Sequence, residues 1–459
     1  MKEFPDTFLW GASTSAFQVE GGCKEGNKSL ATTDVIKKRE GISDNSVAAD
    51  HYHHWKEDVD LMAELGLKAY RMGFAWTRIM KDDTLEVNEE GLEFYDHLID
   101  YLLEKHIEPI VTLYHFECPQ ACVESFGGWK DRRMIECYEA YASVCFKHFK
   151  GRVKKWVTVN EQLIATAAAD MSGNYEEDPH KNLQNIYQMS YHISLAEHKA
   201  MALLRTIDEE AEIGPVCSIQ VVYPNSSRCE DVLAAYNAEE LMEFYMLDMS
   251  VFGKYPPFTT QYLKIHNLYP VTEEGDEAIL LSSSPDFIGV NYYFSICAKA
   301  KEGLVNYHQP PFWISDVYDI CDNPYLHKTE WMDKGIDPIG LSIGIRKIYD
   351  RYHLPVIVTE NGMAYSEWLG EDEKIHDTYR IEYLQQHILQ IHNLIEEGYP
   401  VFGYCPWSFL DVVSSHQGYA KRYGLVFVDR TDTDVKQCRR VKKDSFFWYQ
   451  KVIRDNGIM

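Results

Sequence analysis

Lys155-Trp156-Val157-Thr158-Val159-Asn160-Glu161 and Leu354-Pro355-Val356-Ile357-Val358-Thr359-Glu360-Asn361-Gly362 are the two stretches whose reading decides the architecture. Both are short apolar runs rich in β-branched residues, as in strands buried on both faces. Both end on a glutamate that follows a small polar residue. A carboxylate at the carboxyl end of a core strand serves no packing purpose. On parallel strands of one barrel, two such carboxylates converge on a single mouth.

The same kind of run recurs along the chain. Strands are predicted near Thr7 to Thr14, Leu67 to Ala75, Ile107 to His115, Val153 to Glu161, Glu212 to Val222, Pro285 to Tyr292, Pro355 to Asn361 and Pro400 to Ser408. Helical patterns lie between them. His53 to Leu65 has apolar residues three and four apart, with Gly66 just past its end. Leu92 to Glu104, Met134 to Phe149 and Arg380 to Glu397 read the same way. Eight strands alternating with helices predict an α/β fold, a single (β/α)8 TIM barrel with extended βα loops. No linker or low-complexity segment divides the chain, so residues 1–459 are expected to form one domain. The length of 459 exceeds the roughly 250 residues usual for such a barrel. The surplus should sit before the fifth and sixth strands and between Tyr293 and Asp337. A doubly wound open sheet would want a Gly-rich phosphate loop after its first strand, and none stands there.

Glu161 ends the fourth strand and Glu360 the seventh, facing each other across the mouth. Glycoside cleavage needs one carboxylic acid to protonate the leaving oxygen and one carboxylate on the other face of the sugar. Where they stand about 5–5.5 Å apart, one attacks the anomeric carbon and configuration is retained. A salt bridge to a neighbouring helix would explain one strand-end glutamate more simply, but two in matching context weaken that explanation. Arg71 lies inside the second strand, where a charge must be paired because an unpaired one costs several kcal/mol. A catalytic carboxylate is its natural partner. Tyr293, just past the sixth strand, can donate a hydrogen bond to the same group, with core packing as the alternative. The two donors would keep one glutamate ionised while the other stays protonated.

The totals narrow the function. A formal net charge of -26 argues against nucleic acid and against anionic membrane surfaces. It also means that an anionic substrate would need a local basic pocket. The 11 cysteines are odd in number and form no CxxC pair, which reads as free thiols in a reducing compartment. The first residues carry no signal-peptide pattern, and no apolar run reaches the length of a membrane span. A cytoplasmic location is expected. A homo-oligomer is left open.

Phe8-Leu9-Trp10-Gly11-Ala12-Ser13-Thr14-Ser15-Ala16-Phe17-Gln18-Val19-Glu20-Gly21 resembles the amino-terminal signature of glycoside hydrolase family 1, the retaining β-glucosidase family. Asn160-Glu161, Thr359-Glu360-Asn361-Gly362 and the stretch around Trp407 match it as well. The resemblance runs from about Phe4 to the last strand. It implies a single barrel with no cofactor and no metal. It also assigns Glu161 as acid/base and Glu360 as nucleophile, an order that spacing leaves open. By the same resemblance Gln18, His115, Asn160, Asn291 and Trp407 bind the sugar. Val159 and Gln162 depart from the usual pattern, and Gln162 adds a polar group beside the acid/base. The segment Trp331-Met332-Asp333-Lys334 differs from the common pattern at the rim that meets the aglycone.

Ordinary family members resemble the segment after Trp407 but carry Glu-Trp where Ser414-Ser415 stand. A carboxylate beside carbon 6 would repel a dianion. A serine with a nearby lysine and tyrosine would instead make charge-assisted hydrogen bonds to phosphate oxygens. Ser414, Lys421 and Tyr423 match the phosphate-binding residues of the 6-phospho-β-glycosidase branch, and Phe116 also looks like that branch. Adjacent Lys421 and Arg422 would otherwise read as a solvated pair. The small Ser415 leans toward glucosides, because the galactoside branch tends to have Trp there.

The resemblance therefore implies a retaining 6-phospho-β-glucosidase whose partner is a small phosphorylated β-glucoside. A 6-phospho-β-galactosidase and a β-glucosidase for unphosphorylated sugar stand as alternatives, with a non-catalytic sugar-binding barrel more remote. His51, His53 and His54 invite a metal reading, but helix-start packing fits them better. Arg439-Arg440 with Lys442-Lys443 reads as a solvated basic face.

Overall fold

The computed structural model describes residues 2–458 except 37, 39, 83–85 and 416. Eight strands close into one barrel: β1 Leu9–Ser13, β2 Ala69–Gly73, β3 Glu108–Tyr114, β4 Lys155–Asn160, β5 Glu212–Ser218, β6 Ile288–Tyr292, β7 Val356–Asn361 and β8 Val401–Pro406. They follow one another around the ring in chain order, and neighbouring pairs are parallel. Each falls within one of the eight runs read from the sequence.

The predicted helices form at His51–Leu65, Glu89–Glu104, Arg133–His148 and Thr378–Glu396. Gly66 ends the first with φ 87°, and its N–H donates to the Met62 and Ala63 carbonyls at 3.1 and 3.0 Å. Only glycine takes that conformation without steric cost.

The surplus chain sits where the sequence placed it. The β4–β5 connection contains the 29-residue helix Pro179–Ile207. The β5–β6 connection contains Cys229–Glu239, a π-helical turn at Glu240–Phe244 and Tyr245–Phe252. Between Tyr293 and Asp337, Ile296–Ala300 pairs with Tyr318–Cys321 and with Val222–Pro224 in a small sheet.

The barrel interior is closed at its floor. Leu9, Ala69, Ile110, Val157, Val216, Phe287, Ile357 and Phe402 pack into one apolar cluster. Seven lie on barrel strands and Phe287 immediately precedes β6, so each strand contributes one side chain. The polar residues sit farther along the same strands, at the mouth.

The strands that bear the two glutamates lose strict register just before them. β4 shifts against β5 between Val157 and Asn160. β7 shifts against β6 between Val358 and Glu360, and against β8 between Val358 and Asn361. Regular strands send successive side chains to opposite faces, and an irregularity relaxes that alternation. Adjacent residues, Asn160 with Glu161 and Thr359 with Glu360, thereby join one hydrogen-bonded network.

The carboxyl-terminal basic run departs from the sequence expectation. Arg439 and Lys442 are partly exposed, whereas the Arg440 side chain is buried against Asp58 at 2.7 Å. Lys443 is fully buried between Glu367 and Asp411. Two cations of the expected solvated face are therefore internal clamps, paired with carboxylates far away in sequence.

Candidate active site

Arg71, buried on β2, is the organising cation. It donates to Glu360 Oε1 through Nη1, to Asn160 Oδ1 at 2.6 Å through Nη2 and to Thr112 Oγ1 at 2.9 Å through Nε. Tyr293 donates its hydroxyl to the other oxygen of Glu360 at 2.6 Å. Both carboxylate oxygens of Glu360 are thus held by donors that favour the ionised form.

Glu161 has less support. Its Oε1 accepts one hydrogen bond from Asn291 Nδ2 at 2.8 Å. Asn291 also donates to Asn160 Oδ1 at 3.0 Å and accepts from Thr359 Oγ1 at 2.7 Å. Asn291 therefore ties the ends of β4, β6 and β7 together. Glu161 itself sits in left-handed backbone with φ 44°.

Burial pushes the Glu161 carboxyl up to about 8, aided by the charge of Glu360, while Asn291 and Arg71 pull weakly the other way. Burial also raises Glu360, but Arg71, Tyr293 and Asn291 all oppose it. Both carboxyls are buried, so the one with more hydrogen-bond donors and the nearby guanidinium is the one that stays ionised. The proton belongs on Glu161 and the charge on Glu360.

The remaining sugar-site candidates surround this pair. His115 Nε2 lies 3.2 Å from Asn160 Nδ2, and its ring stacks on Trp407 with centroids 6.1 Å apart. Burial, then the Arg71 charge, lowers His115 well below its ordinary value, so the ring is neutral. Gln18 donates to the Val413 carbonyl at 2.9 Å and accepts from Ser15 Oγ at 2.7 Å. Trp407 joins the β7 tip through its N–H to the Asn361 carbonyl at 3.0 Å.

Val413 leads directly into the segment read as a phosphate site. Ser414 is buried and donates to Gln417 Oε1 at 2.8 Å. Lys421 is half-buried, with its ammonium 5.6 Å from the Tyr423 ring centroid and 6.0 Å from that of Trp331. Tyr423 in turn packs edge-on against Tyr293, with centroids 6.2 Å apart. Among the described residues Lys421 has no carboxylate partner. Arg422 turns inward instead, to Asp411 and the Val428 carbonyl at 2.9 Å each, so the two adjacent cations have separate roles.

These distances give the family comparison a physical frame. The sequence matches the glycosyl hydrolase family 1 model over residues 1–458. The chain belongs to glycosyl hydrolase family 1. It is 41% identical to the aryl-phospho-beta-D-glucosidase BglC of Bacillus subtilis (strain 168), over 99% of this chain and 98% of that protein. It is 34% identical to the 6-phospho-beta-glucosidase AscB of Escherichia coli (strain K12), over 100% and 99%. Among solved structures, a family 1 β-glucosidase from Thermotoga maritima superimposes with TM-score 0.90 at 31% identity, over 100% of this chain and 99% of that one. As a family 1 member the chain is a glycoside hydrolase.

Several residues of this family 1 site carried less signal in the sequence. Thr112 and Thr359 support Arg71 and Asn291, and threonine in a strand is otherwise unremarked. Trp331 reaches Lys421 from the segment read only as aglycone rim. Gln162, whose role beside the acid/base was open, points away and donates to the Ser190 carbonyl and hydroxyl of the long helix. His51 pairs with Asp58, His53 with Asp50 and Glu25, and His54 with the Asp50 carbonyl. Among the described residues no cluster of three or more His, Cys, Asp or Glu has the arrangement of a metal site.

Proposed function

We propose that the protein hydrolyses 6-phospho-β-glucosides with retention, releasing glucose 6-phosphate and an aglycone. The carrying observation is Lys421, a half-buried cation between the Trp331 and Tyr423 rings with no carboxylate partner among the described residues. A cation held this way is available for an external anion, and the chain's net charge of -26 leaves few such places. Ser414 supplies a neutral hydroxyl where a carboxylate would repel the dianion. The names of the Bacillus and Escherichia relatives favour the same substrate class. The small Ser415 favours the glucoside over the galactoside.

In this reading Glu360 attacks the anomeric carbon while Glu161 gives its proton to the departing oxygen. The glycosyl–Glu360 ester then meets water. Glu161, now ionised, takes the water's proton as the oxygen bonds to the anomeric carbon and Glu360 leaves as carboxylate. Gln18, His115, Asn160, Asn291 and Trp407 orient the sugar, and Ser414, Lys421 and Tyr423 hold its phosphate. The whole chain acts as one catalytic unit. Eleven free cysteines and a phosphorylated substrate both fit a cytoplasmic location.

The test compares kcat/KM on p-nitrophenyl β-glucoside 6-phosphate with the unphosphorylated parent. A preference of a hundredfold or more, roughly 3 kcal/mol of transition-state binding, is expected. Lys421→Ala should collapse that ratio, chiefly through KM. NMR of the same reaction should detect β-glucose 6-phosphate first. A wild-type enzyme that favours the plain glucoside, as the likeness to the Thermotoga β-glucosidase allows, would reject the phosphate reading and leave the glutamate pair intact.

A further inference from the structure

The turn that carries Ser414 is held from outside by a loop distant in sequence. Ser414 N–H donates to the Gly418 carbonyl at 3.0 Å, closing the turn on itself. Lys38 donates its ammonium to the Ser415 carbonyl, inside that turn. A second link ties the same two segments. Asp432 Oδ1 accepts from the Ser43 N–H and the Tyr419 N–H at 2.9 Å each, and the Ser43 hydroxyl donates to the Asp432 carbonyl at 3.3 Å. Lys38 is therefore linked to Ser415, and Ser43 is linked through Asp432 to Tyr419.

Lys38 is half-buried, and that burial makes its position costly unless the charge is used. Burial lowers its pKa below the ordinary lysine value, and the charges of Asp170 and Asp44 oppose that shift. Among the described residues its hydrogen-bond acceptor is this backbone carbonyl, an unusual partner for a half-buried cation. It makes sense where the carbonyl would otherwise present its lone pairs beside a bound anion.

We propose that Lys38 is a positioning residue for recognition of the substrate's 6-phosphate, a role that rests on the phosphate reading given above. Its ammonium fixes the Ser415 carbonyl, so that the turn holds Ser414 in place for the phosphate. It also brings a second positive charge to a turn whose partner carries two negative ones. The residue lies outside the segment that contains Ser414, Lys421 and Tyr423, and acts through the turn rather than on the reacting atoms.

The experiment uses the full-length enzyme. First, wild-type kcat/KM is measured on p-nitrophenyl β-glucoside 6-phosphate and on its plain parent; absence of a preference rejects the phosphate reading, and this inference with it. With the preference present, Lys38→Met is expected to raise KM for the phosphorylated substrate about tenfold, with a smaller change in kcat. The Ki of glucose 6-phosphate, read against hydrolysis of the plain glucoside, should rise in parallel, and Lys38→Arg should recover most of both. An unchanged ratio in Lys38→Met, or equal losses on both substrates, overturns the role of Lys38 alone. Should the methionine variant fail to fold, Lys38→Gln is read in the same way.

Discussion

At the scale of single residues, the division of labour between the two glutamates depends on how many donors each one meets. Glu360 has Arg71 on one oxygen and Tyr293 on the other, whereas among the described residues Glu161 has Asn291 alone. Tyr293→Phe should therefore raise the Glu360 pKa further, since one opposing donor is lost. The acidic limb of the kcat/KM profile should move to higher pH, and kcat should fall roughly tenfold to a hundredfold, as for loss of a hydrogen bond to a charged group. An unmoved limb would mean that the hydroxyl does not act on Glu360. Arg71 was legible in the sequence because a charge within an apolar strand demands a partner. Lys38 was not, because its partner is a main-chain carbonyl that no residue type announces. Arg440 and Lys443 misled for a related reason: a basic run looks solvated until the carboxylates that bury it, Asp58, Glu367 and Asp411, arrive from other parts of the chain.

At the scale of elements, the strand tips carry the site, and their fit is close. A Cβ on Gly362 would stand 2.0 Å from the Trp407 carbonyl oxygen, and that oxygen is backbone that cannot swing aside. Gly362→Ala should push the tips of β7 and β8 apart, displacing Glu360 and Trp407 together. The expected cost is about 1–3 kcal/mol of stability, as for overpacking, with a fall in kcat. Denaturant melts and steady-state kinetics on the same preparation check both; a variant with normal melting and normal kcat would show that the tips have slack. All eight strands could be read from their apolar runs. The register shifts in β4 and β7 could not, because they arise from pairing with neighbours and not from composition. They matter most here, since they gather adjacent residues into one network.

At the scale of the whole molecule, buried carboxyls give stability a pH dependence. Glu161 and Glu117 are both pushed up to about 8, chiefly by burial, with Glu360 adding to the first and Glu20 to the second. An unfolded glutamate ionises near 4.3. Between these values the folded protein holds protons that the unfolded chain has released, so stability falls as pH rises. His115, His192, His198 and His387, lowered by burial, work the opposite way, but only below about pH 6.5, where the unfolded chain protonates them. The net decline should thus emerge between about pH 6.5 and 8. Scanning calorimetry across that window should find Tm lower at pH 8, and Glu117→Gln should make the slope shallower; a flat profile would count against both carboxyls being neutral in the fold. The single barrel itself was legible from strand rhythm, whereas this interior acidity was not, because burial is a property of the assembled molecule. The apolar floor, to which every strand gives one side chain, has a consequence for traffic. The barrel is a cul-de-sac. Both fragments of a cleaved substrate must leave by the entrance, so the outer one departs first and the inner one waits. Under the proposed mechanism, any small alcohol that walks in during that wait competes with water for the sugar held on Glu360.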